Sequence, residues 1–280
     1  MLHRVERMGT WMLSWLGFRS EWIDTGAGRV HVMRRGAASG ETPLVLIHGI
    51  GASHIHWFFV ILRLLRKFPH LVLPDLPNHG LSTRGSYSPG QIQTAFLSSM
   101  ASVLNQPAWV VGNSLGGLAG IGLAVHQPES VRGLILVSPG GAPETQEQFD
   151  DFMQQFKFNE RQGAKAFLQR IYRRPPVYLG LMLAPVLAEF TRPGFRRFVE
   201  SAKPSPASHG EDLRALTMPV ALVWGTEDRL MPAHHRQWYL DHLPEGASVL
   251  EPEMGHCPHL DDSGALVGLI SGFVDGHQLR

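Results

Sequence analysis

The chain is predicted to fold as an α/β domain around a mainly parallel sheet. Three observations predict this class. Short apolar runs of strand length recur along the sequence, and helix-compatible segments separate them. In addition, 280 residues with 44% hydrophobic content are enough to bury a large core. Strands that alternate with helices require crossover connections, which place neighbouring strands parallel to one another.

Residues 1–20 are predicted to form a separate amphipathic segment. Its apolar residues follow helical spacing, and arginines lie around them: Met8, Trp11, Met12, Trp15 and Leu16, with Arg4, Arg7 and Arg19. One interpretation is a helix packed on the domain or across a dimer contact. Another is an interfacial helix that makes peripheral membrane contact through residues 8–18. A signal peptide is the weakest interpretation, because the apolar core is short and no Ala-x-Ala site follows.

The predicted elements then follow in order. Residues 21–36 indicate a β-hairpin around a Gly26-Ala27-Gly28 turn. Continuous apolar runs are typical of strands buried on both faces of a parallel sheet. Such runs occur at 44–47, 71–75, 108–111 and 133–137, and helices are predicted at 57–67, 89–104 and 115–126.

The alternation stops within residues 141–215, which indicate helices without strands, and it resumes at 220–224 and 247–250. A helical stretch between two strands of one sheet is best explained as an insertion. The core therefore comprises residues 21–140 and 216–280, with residues 141–215 as a helical cap. An insertion at the carboxyl end of a strand would cover the place where open α/β sheets bind ligands.

Composition excludes several functions. The formal net charge is +1, from 25 basic and 24 acidic residues without a block of like charge, so no nucleic-acid partner is expected. The fifteen histidines are scattered without metal-ligand spacing, so no metal site is predicted. The single cysteine, Cys257, excludes an intrachain disulfide and is expected to pack in the interior. It fits a reducing compartment such as the cytoplasm, with a disulfide-free secreted protein as the alternative.

The stretch Gly112-Asn113-Ser114-Leu115-Gly116 lies between a predicted strand and a predicted helix. This is the context of a nucleophile elbow, a tight turn that exposes a serine near a helix N-terminus. Glycines remove the side chains that would clash around such a turn. Ser114 is therefore the candidate nucleophile.

A serine nucleophile needs a general base, and that base needs an orienting acid. His256 follows the last predicted strand, in a loop at the carboxyl edge of the sheet. Glu227 and Asp228 follow the preceding strand, and both qualify as the acid by position alone. The chain order serine, acid, histidine is that of α/β-hydrolases.

Four motifs carry a resemblance to the α/β-hydrolase superfamily over about residues 40–140 and 215–275. They are residues 46–51 (LIHGIG), 74–82 (PDLPNHGLS), 112–117 (GNSLGG) and 255–260 (GHCPHL). The chain resembles the capped esterase, monoacylglycerol-lipase-like and carbon–carbon-hydrolase branches. The resemblance implies an eight-stranded sheet flanked by helices, with the cap inserted after strand 6, and it implies no cofactor. Asn78 departs from the pattern, where relatives carry glycine, but asparagine tolerates positive φ.

The resemblance also assigns the supporting residues. The family turn Gly-x-x-Asp-x-x-x-Pro matches Gly225, Asp228 and Pro232, which favours Asp228 over Glu227 as the acid. It implies an oxyanion hole made by the backbone N–H groups of Ile50 and Leu115, with Gly51 as an alternative donor. The elbow and its neighbouring loop are supported by His48, Gly49, Gly51, Gly112 and Gly116, and Ser53 and Asn113 line the site at most.

The cap carries an apolar run at 177–187, near Phe167, Tyr172 and Phe190. We expect these residues to pack the cap onto the core and to leave an apolar pocket. An exposed helix face explains Arg170, Arg173 and Arg174 more simply than substrate binding does.

The leading functional prediction is a serine hydrolase that cleaves carboxylic esters of lipophilic acyl groups through an acyl-enzyme. One alternative is hydrolysis of a carbon–carbon bond in a vinylogous diketone, which would need a buried arginine near the site. A ligand receptor with slow or no turnover is the other, because fold alone does not decide function. Epoxide and haloalkane hydrolysis are disfavoured, because those relatives carry aspartate at the position of Ser114.

Overall fold

An eight-stranded, mainly parallel sheet flanked by helices forms the centre of the molecule, which confirms the predicted fold class. The computed structural model describes residues 2–36, 41–85, 87–206 and 209–278, and residues 2–5 by their backbone alone. Three parts of the predicted segments lie outside the described residues: Met1, residue 280 and the side chain of Arg4. The strands are β1 (Arg19–Thr25), β2 (Gly28–Arg35), β3 (Leu44–Ile47), β4 (Leu71–Pro74), β5 (Ala108–Asn113), β6 (Val131–Val137), β7 (Val220–Val223) and β8 (Ser248–Leu250).

The strand order is β1-β2-β4-β3-β5-β6-β7-β8. Strand β2 pairs antiparallel with β1 and β4, and the remaining pairs are parallel. In the central register, Gly112 of β5 lies between Ile47 of β3 and Leu136 of β6. The carboxyl ends of these strands therefore meet at one edge of the sheet, where the loops that follow them converge.

Helices cover both faces of the sheet. Those of the described chain are α1 (Leu2–Trp15), α2 (Phe58–Leu64), α3 (Pro89–Val103), α4 (Leu115–His126), α5 (Gln146–Gln154), α6 (Arg161–Ile171), α7 (Leu179–Phe190), α8 (Pro193–Ser201), α9 (His209–Arg214), α10 (Ala233–His242), α11 (Pro258–Asp261) and α12 (Ser263–Gln278). One core layer includes buried residues of α3, α4 and α10, and the opposite layer those of α1, α2 and α12. No helix in the described part of the chain is both long and apolar enough to span a bilayer.

Several element ends differ from the prediction, most notably at the hairpin and at the helix predicted from residue 57. The hairpin begins at Arg19 rather than Glu21, because strand pairing uses backbone groups that an apolar pattern does not report. The helix predicted at 57–67 starts as a 3₁₀ turn over His54–Trp57 and continues as α2 only to Leu64. In the turn after the helix, the N–H groups of Lys67 and Phe68 both donate to the carbonyl of Leu64.

Helix α1 packs on the domain, but not through its apolar stripe. Gly9 and Leu13 face inward, and a β-carbon on Gly9 would lie 2.5 Å from Cγ2 of Ile55. Four of the five stripe residues are exposed instead, namely Met8, Trp11, Met12 and Trp15, whereas Leu16 is half-buried. Because Gly9 has no side chain, Ile55 can pack closely against the side of the helix that carries Gly9 and Leu13, and this side is buried.

Helices α5–α9 lie between β6 and β7 and form the insertion. An aromatic cluster joins its parts: Phe190 contacts the rings of Phe156, Phe158, Phe167 and Phe195. The apolar run at 177–187 packs inward through the buried Leu179 and Leu183 and the partly buried Met182, Val186 and Leu187. Val177, Tyr178 and Leu181 are exposed, so the expectation that this run packs the insertion onto the core is correct for one face alone.

Candidate active site

Ser114 lies at the junction of β5 and α4 with φ 55° and ψ −117°, a strained conformation for a residue other than glycine. The turn closes tightly around it. A β-carbon on Gly112 would lie 2.2 Å from the carbonyl oxygen of Gly116, and one on Gly116 would lie 2.3 Å from that of Ile47. Only glycine fits at these two positions, so the sequence can place a serine at the apex of the turn.

His256 and Asp228 meet at the same sheet edge. The ring Nδ1–H of His256 donates to Oδ2 of Asp228 at 2.8 Å, and both side chains are almost fully buried. The other carboxylate oxygen accepts the backbone N–H groups of Leu230 and Met231 at 2.9 and 3.0 Å. Burial alone would raise the pKa of Asp228, but the positive charge of protonated His256 and these hydrogen bonds lower it overall.

The neighbouring carboxylate, Glu227, points elsewhere. It accepts a hydrogen bond from Nε of Arg173 at 2.5 Å, and its side chain is 39% exposed. Arg173 also pairs with the exposed Glu253. The geometry therefore agrees with the choice of Asp228 over Glu227 as the partner of His256.

Ser114 and His256 line one cavity. Asn113 holds the two segments together, because its side-chain amide donates to the carbonyl oxygens of Val137 and His256, each at 3.1 Å. Within the described residues, no hydrogen bond joins the Ser114 hydroxyl to the His256 ring. Catalytic hydrogen bonds are often loose in unliganded enzymes and tighten when substrate binds.

The loop after β3 approaches the elbow from the other side. His48 braces it: the backbone N–H of Leu76 donates to Nε2 at 3.0 Å, and Nδ1–H donates to the carbonyl of Gly49 at 2.8 Å. Burial lowers the pKa of His48 to about 4, so the ring is neutral at pH 7. Both ring nitrogens are occupied, which leaves His48 unable to act as a base.

Gly49 and Gly51 shape the same loop. A β-carbon on Gly49 would lie 3.2 Å from Oδ1 of Asn113, and Gly51 adopts φ 68° with Phe190 against it. In the described chain, neither Ile50 nor Leu115 donates its N–H to another backbone group. Both N–H groups therefore have no backbone acceptor among the described residues.

The cavity has a volume of about 60 Å³ and a predominantly apolar wall. Its apolar side chains come from the insertion and from the loops after β3, β7 and β8: Ile50, Phe167, Leu168, Ile171, Met182, Val186, Phe190, Leu230 and Leu260. Among the described residues that line it, none is a lysine or an arginine. Burial lowers the pKa of His56 to about 4 and that of His259 well below its usual value, so these lining histidines carry no charge at pH 7.

Some predicted residues lie away from the cavity. Ser53 is buried but does not line it, whereas Asn113 does. Arg170 lies on α6, is exposed and lines a separate, open cavity of about 640 Å³. Arg173 and Arg174 follow the end of α6 at Ile171, so the expectation of an exposed helix face is wrong for these two residues, although Arg174 is exposed. Cys257 is buried at the wall, with Sγ 3.8 Å from Oδ1 of Asn113, and burial raises the pKa of its thiol well above the usual value.

Asn78, the departure from the family pattern, adopts φ 69°, so the turn keeps the conformation that glycine would allow. Its side chain adds contacts that glycine could not. Arg192 donates to the side-chain amide oxygen of Asn78 at 3.0 Å and to the backbone carbonyl oxygen of Asn78 at 2.6 Å. The side-chain nitrogen of Asn78 donates to the carbonyl oxygen of Gly194 at 3.2 Å. Asn78 thus ties this turn to the insertion.

Sequence reasoning missed a buried network around Asp75. This carboxylate accepts ring N–H groups of His31 at 2.8 Å and His54 at 2.9 Å, and backbone N–H groups of His54 and Leu81. Burial would raise the pKa of Asp75, but the two histidines lower it well below its usual value. The signal was present in the Pro74-Asp75 motif, but the partners come from distant strands and turns.

Two groups in the described residues bring three potential metal ligands together: His31, His54 and Asp75, and separately Glu144, His234 and His235. In the first group the inward nitrogens already hydrogen-bond the carboxylate, and the outer ones contact Ser20 and Thr10. In the second, Glu144 lies within ion-pair distance of both histidines. The absence of a metal stays a prediction.

The cavity wall was predicted only in part. Six wall residues that the sequence does not assign to the pocket reach it from four separate segments: His56, Leu168, Ile171, Leu230, His259 and Leu260. Most of them are apolar, but residue type alone does not show that they line the cavity. Their convergence depends on how the insertion packs, which no local pattern reports.

Known proteins resemble this chain in sequence and in fold. The model of the alpha/beta hydrolase family matches residues 44–269. A pimeloyl-[acyl-carrier protein] methyl ester esterase of Neisseria meningitidis (serogroup C, serotype 2a) is 27% identical over 255 residues, covering 87% of this chain and 97% of the relative.

Solved structures share the fold. A putative lipase from Acinetobacter baumannii AYE superposes with a TM-score of 0.82 at 20% identity, covering 100% of this chain and 97% of that one. The 2-hydroxy-6-oxo-6-phenylhexa-2,4-dienoate hydrolase of Rhodococcus sp. strain RHA1 gives a TM-score of 0.77 at 21% identity, covering 92% and 99%. Both likenesses concern the fold and leave the substrate open.

Proposed function

The chain belongs to the alpha/beta hydrolase family, and we propose that it is a serine hydrolase that cleaves carboxylic esters of lipophilic acyl groups. Its curated relative from Neisseria is named as a methyl ester esterase, which supports ester hydrolysis. The observation that carries the proposal is the apolar, uncharged cavity into which Ser114 and His256 open. In this proposal residues 141–215 act as the cap that completes the cavity.

The proposed reaction follows the serine triad. His256 takes the proton of Ser114 at Nε2, because its Nδ1–H is held by Asp228. The Ser114 oxygen attacks the ester carbonyl, and the backbone N–H groups of Ile50 and Leu115 stabilise the oxyanion. The protonated histidine then gives its proton to the leaving alcohol, which leaves an acyl-enzyme. Water activated by the same ring releases the acid.

The cavity favours an ester over an anionic diketone. A dicarboxylate would bring its charge among apolar side chains without a cationic partner, which costs several kcal/mol. Arg173 cannot supply that partner, because it is paired with Glu227 and Glu253 at the surface. The chemistry of the wall therefore disfavours the carbon–carbon hydrolase, although that class shares the fold.

The cavity is also small. Pockets for drug-sized ligands usually hold about 300–1,000 Å³, whereas this one holds about 60 Å³. A volume of this size favours short acyl groups over long ones. We therefore expect activity to depend on acyl length.

A labelling and turnover experiment tests the proposal. A fluorophosphonate probe is expected to label the wild-type protein and to leave Ser114→Ala unlabelled. Ser102→Ala is the matched control, because Ser102 is an exposed serine of α3. In parallel, p-nitrophenyl esters of increasing acyl length are compared with an anionic vinylogous diketone.

The outcomes separate the three functions. Turnover of esters with little turnover of the diketone supports the esterase. Preference for the diketone would reject the ester in favour of carbon–carbon hydrolysis. Equal labelling of Ser114→Ala would reject the nucleophile, and labelling without turnover of any substrate would favour the receptor.

A further inference from the structure

Helix α1 presents an apolar face to solvent. Trp11 is 60% exposed and Trp15 is 76% exposed, and Met8 and Met12 lie beside them at helical spacing. The two indole rings contact each other edge to face, with centroids 5.6 Å apart. Two exposed tryptophans and two exposed methionines on one short helix exceed the scattered apolar residues of an ordinary surface.

Helix α7, which contacts α1, is apolar on both sides. Its inner side lines the cavity through Met182, Val186 and Phe190. Its outer side exposes Leu181, at 80%, and then Ala184 and Ala188 at successive turns. The exposed Val177 and Tyr178 precede it. A helix that is hydrophobic all round is normally covered by protein or by lipid.

Charge is distributed unevenly around these helices. Their acidic residues, Glu6 and Glu189, are buried, and Arg84 lies 3.4 Å from both. Residues 7–19 and 174–188 contain no acidic residue, and their charged residues are Arg7, Arg19 and Arg174, all exposed. The apolar residues are therefore accompanied by positive charge alone.

We propose that α1 and α7 form one docking face for the surface of a bilayer that contains anionic lipid. This α1/α7 face comprises Met8, Trp11, Met12, Trp15, Val177, Tyr178, Leu181, Ala184 and Ala188, with Arg7, Arg19 and Arg174 as its cations. Because α7 also lines the cavity, docking places the candidate active site next to the lipid. Binding requires no catalysis, so the proposal stands apart from the proposed function.

Lipid fits this face better than a second copy of the chain does. Tryptophan and tyrosine favour the zone between headgroups and acyl chains, and arginines add roughly 1 kcal/mol each near an anionic surface. A symmetric contact between two copies would bring arginine-bearing segments together without any exposed acid on them. In this proposal α1 lies in the interface between the headgroups and the acyl chains.

Co-sedimentation of the full chain with vesicles tests the proposal. Vesicles of phosphatidylcholine alone are compared with vesicles containing about one third phosphatidylglycerol. We expect stronger binding to the anionic vesicles. The double variant Trp11→Ser/Trp15→Ser and, separately, Leu181→Ser are each expected to reduce the partition coefficient at least tenfold. Arg7→Glu/Arg19→Glu is expected to abolish the preference for anionic lipid.

Matched controls lie at distant parts of the sheet. Val249→Ser changes an exposed apolar residue on β8, the edge strand opposite β1, and Arg132→Glu changes an exposed arginine at the start of β6. Both are expected to bind vesicles as the wild type does. Circular dichroism of every variant verifies folding, and hydrolysis of a soluble short-chain ester is measured separately, so a loss of docking is distinguished from a loss of catalysis.

Three results would overturn the proposal. The first is wild-type protein that does not bind anionic vesicles, and the second is a Trp11→Ser/Trp15→Ser variant that binds as strongly as wild type. The third is a dimer in sedimentation equilibrium that dissociates in this variant while vesicles bind neither protein. That third result would assign the α1/α7 face to a contact between copies.

Discussion

Replacing Asp228 with asparagine probes the proposed triad with little change in shape. The two carboxylate oxygens have distinct partners: Oδ1 accepts the N–H groups of Leu230 and Met231, and Oδ2 accepts Nδ1–H of His256. The amide oxygen of asparagine is expected to stay with the two backbone donors. Its NH₂ group then faces His256 and forces the proton onto Nε2, where the ring can no longer accept the proton of Ser114.

The magnitude follows from the two orientations open to the amide. In the orientation that keeps both backbone hydrogen bonds, the wrong tautomer is expected to lower kcat by about 10⁴, as in the serine-protease triad. That factor corresponds to about 5.4 kcal/mol of transition-state stabilisation. The flipped amide would restore the tautomer but leave two backbone N–H groups unpaired, at about 1–3 kcal/mol each. Neither orientation restores wild-type activity.

The assay is kcat and KM for a soluble p-nitrophenyl ester, together with the rate of fluorophosphonate labelling. Glu227→Gln is the matched control, because Glu227 is adjacent in sequence but pairs with Arg173 at the surface. It is expected to change kcat less than threefold, since exposed ion pairs contribute little. Asp228→Asn with more than one tenth of wild-type kcat, or a larger loss in Glu227→Gln, would refute the assignment of the acid.

Two further predictions follow from buried contacts. Gly116→Ala places a β-carbon 2.3 Å from the carbonyl oxygen of Ile47 and is expected to lower kcat/KM about 100-fold by displacing the elbow. Gly272→Ala, in α12 with open space around it, is the control and is expected to stabilise the fold by roughly 0.5–1 kcal/mol. Asp75→Asn is expected to lower the free energy of unfolding at pH 7 by about 3–5 kcal/mol in denaturant titration. Because folding lowers the pKa of Asp75, its contribution is present above the unfolded pKa of about 3.9 and is lost as the pH falls through the lower folded value. The asparagine variant should therefore lack this acid-dependent loss, and an unchanged acid limb would contradict the role of Asp75.

The sequence predicts the fold and much of the candidate site because both depend on short motifs. The elbow needs glycine at 112 and 116 for local steric reasons, and the alternation of strands and helices sets the topology. The loops carrying Asp228 and His256 follow neighbouring strands, so chain order brings them to one edge. Each inference uses residues close in sequence or a rule of sheet connection.

The residues of the cavity wall could not be predicted in this way. Its residues come from the insertion and from several loops, and their contacts depend on tertiary packing that has no period in the sequence. The same holds for Asp75, whose partners His31 and His54 come from β2 and from the turn before α2. A buried carboxylate requires partners, but composition with fifteen histidines does not say which ones.

Helix α1 shows why a correctly identified apolar stripe does not say which side of a helix packs on the domain. The period of its apolar stripe identifies an amphipathic helix, but a stripe directed at protein and one directed at lipid have the same period. Ile55 packs closely against Gly9, which has no side chain. The side of the helix that carries Gly9 and Leu13 is therefore buried, and the tryptophans on the other side are exposed. An exposed apolar stripe therefore indicates an external partner when the opposite side of its helix already packs on the domain. Here that opposite side is already occupied, so the tryptophans are available for a partner outside the fold.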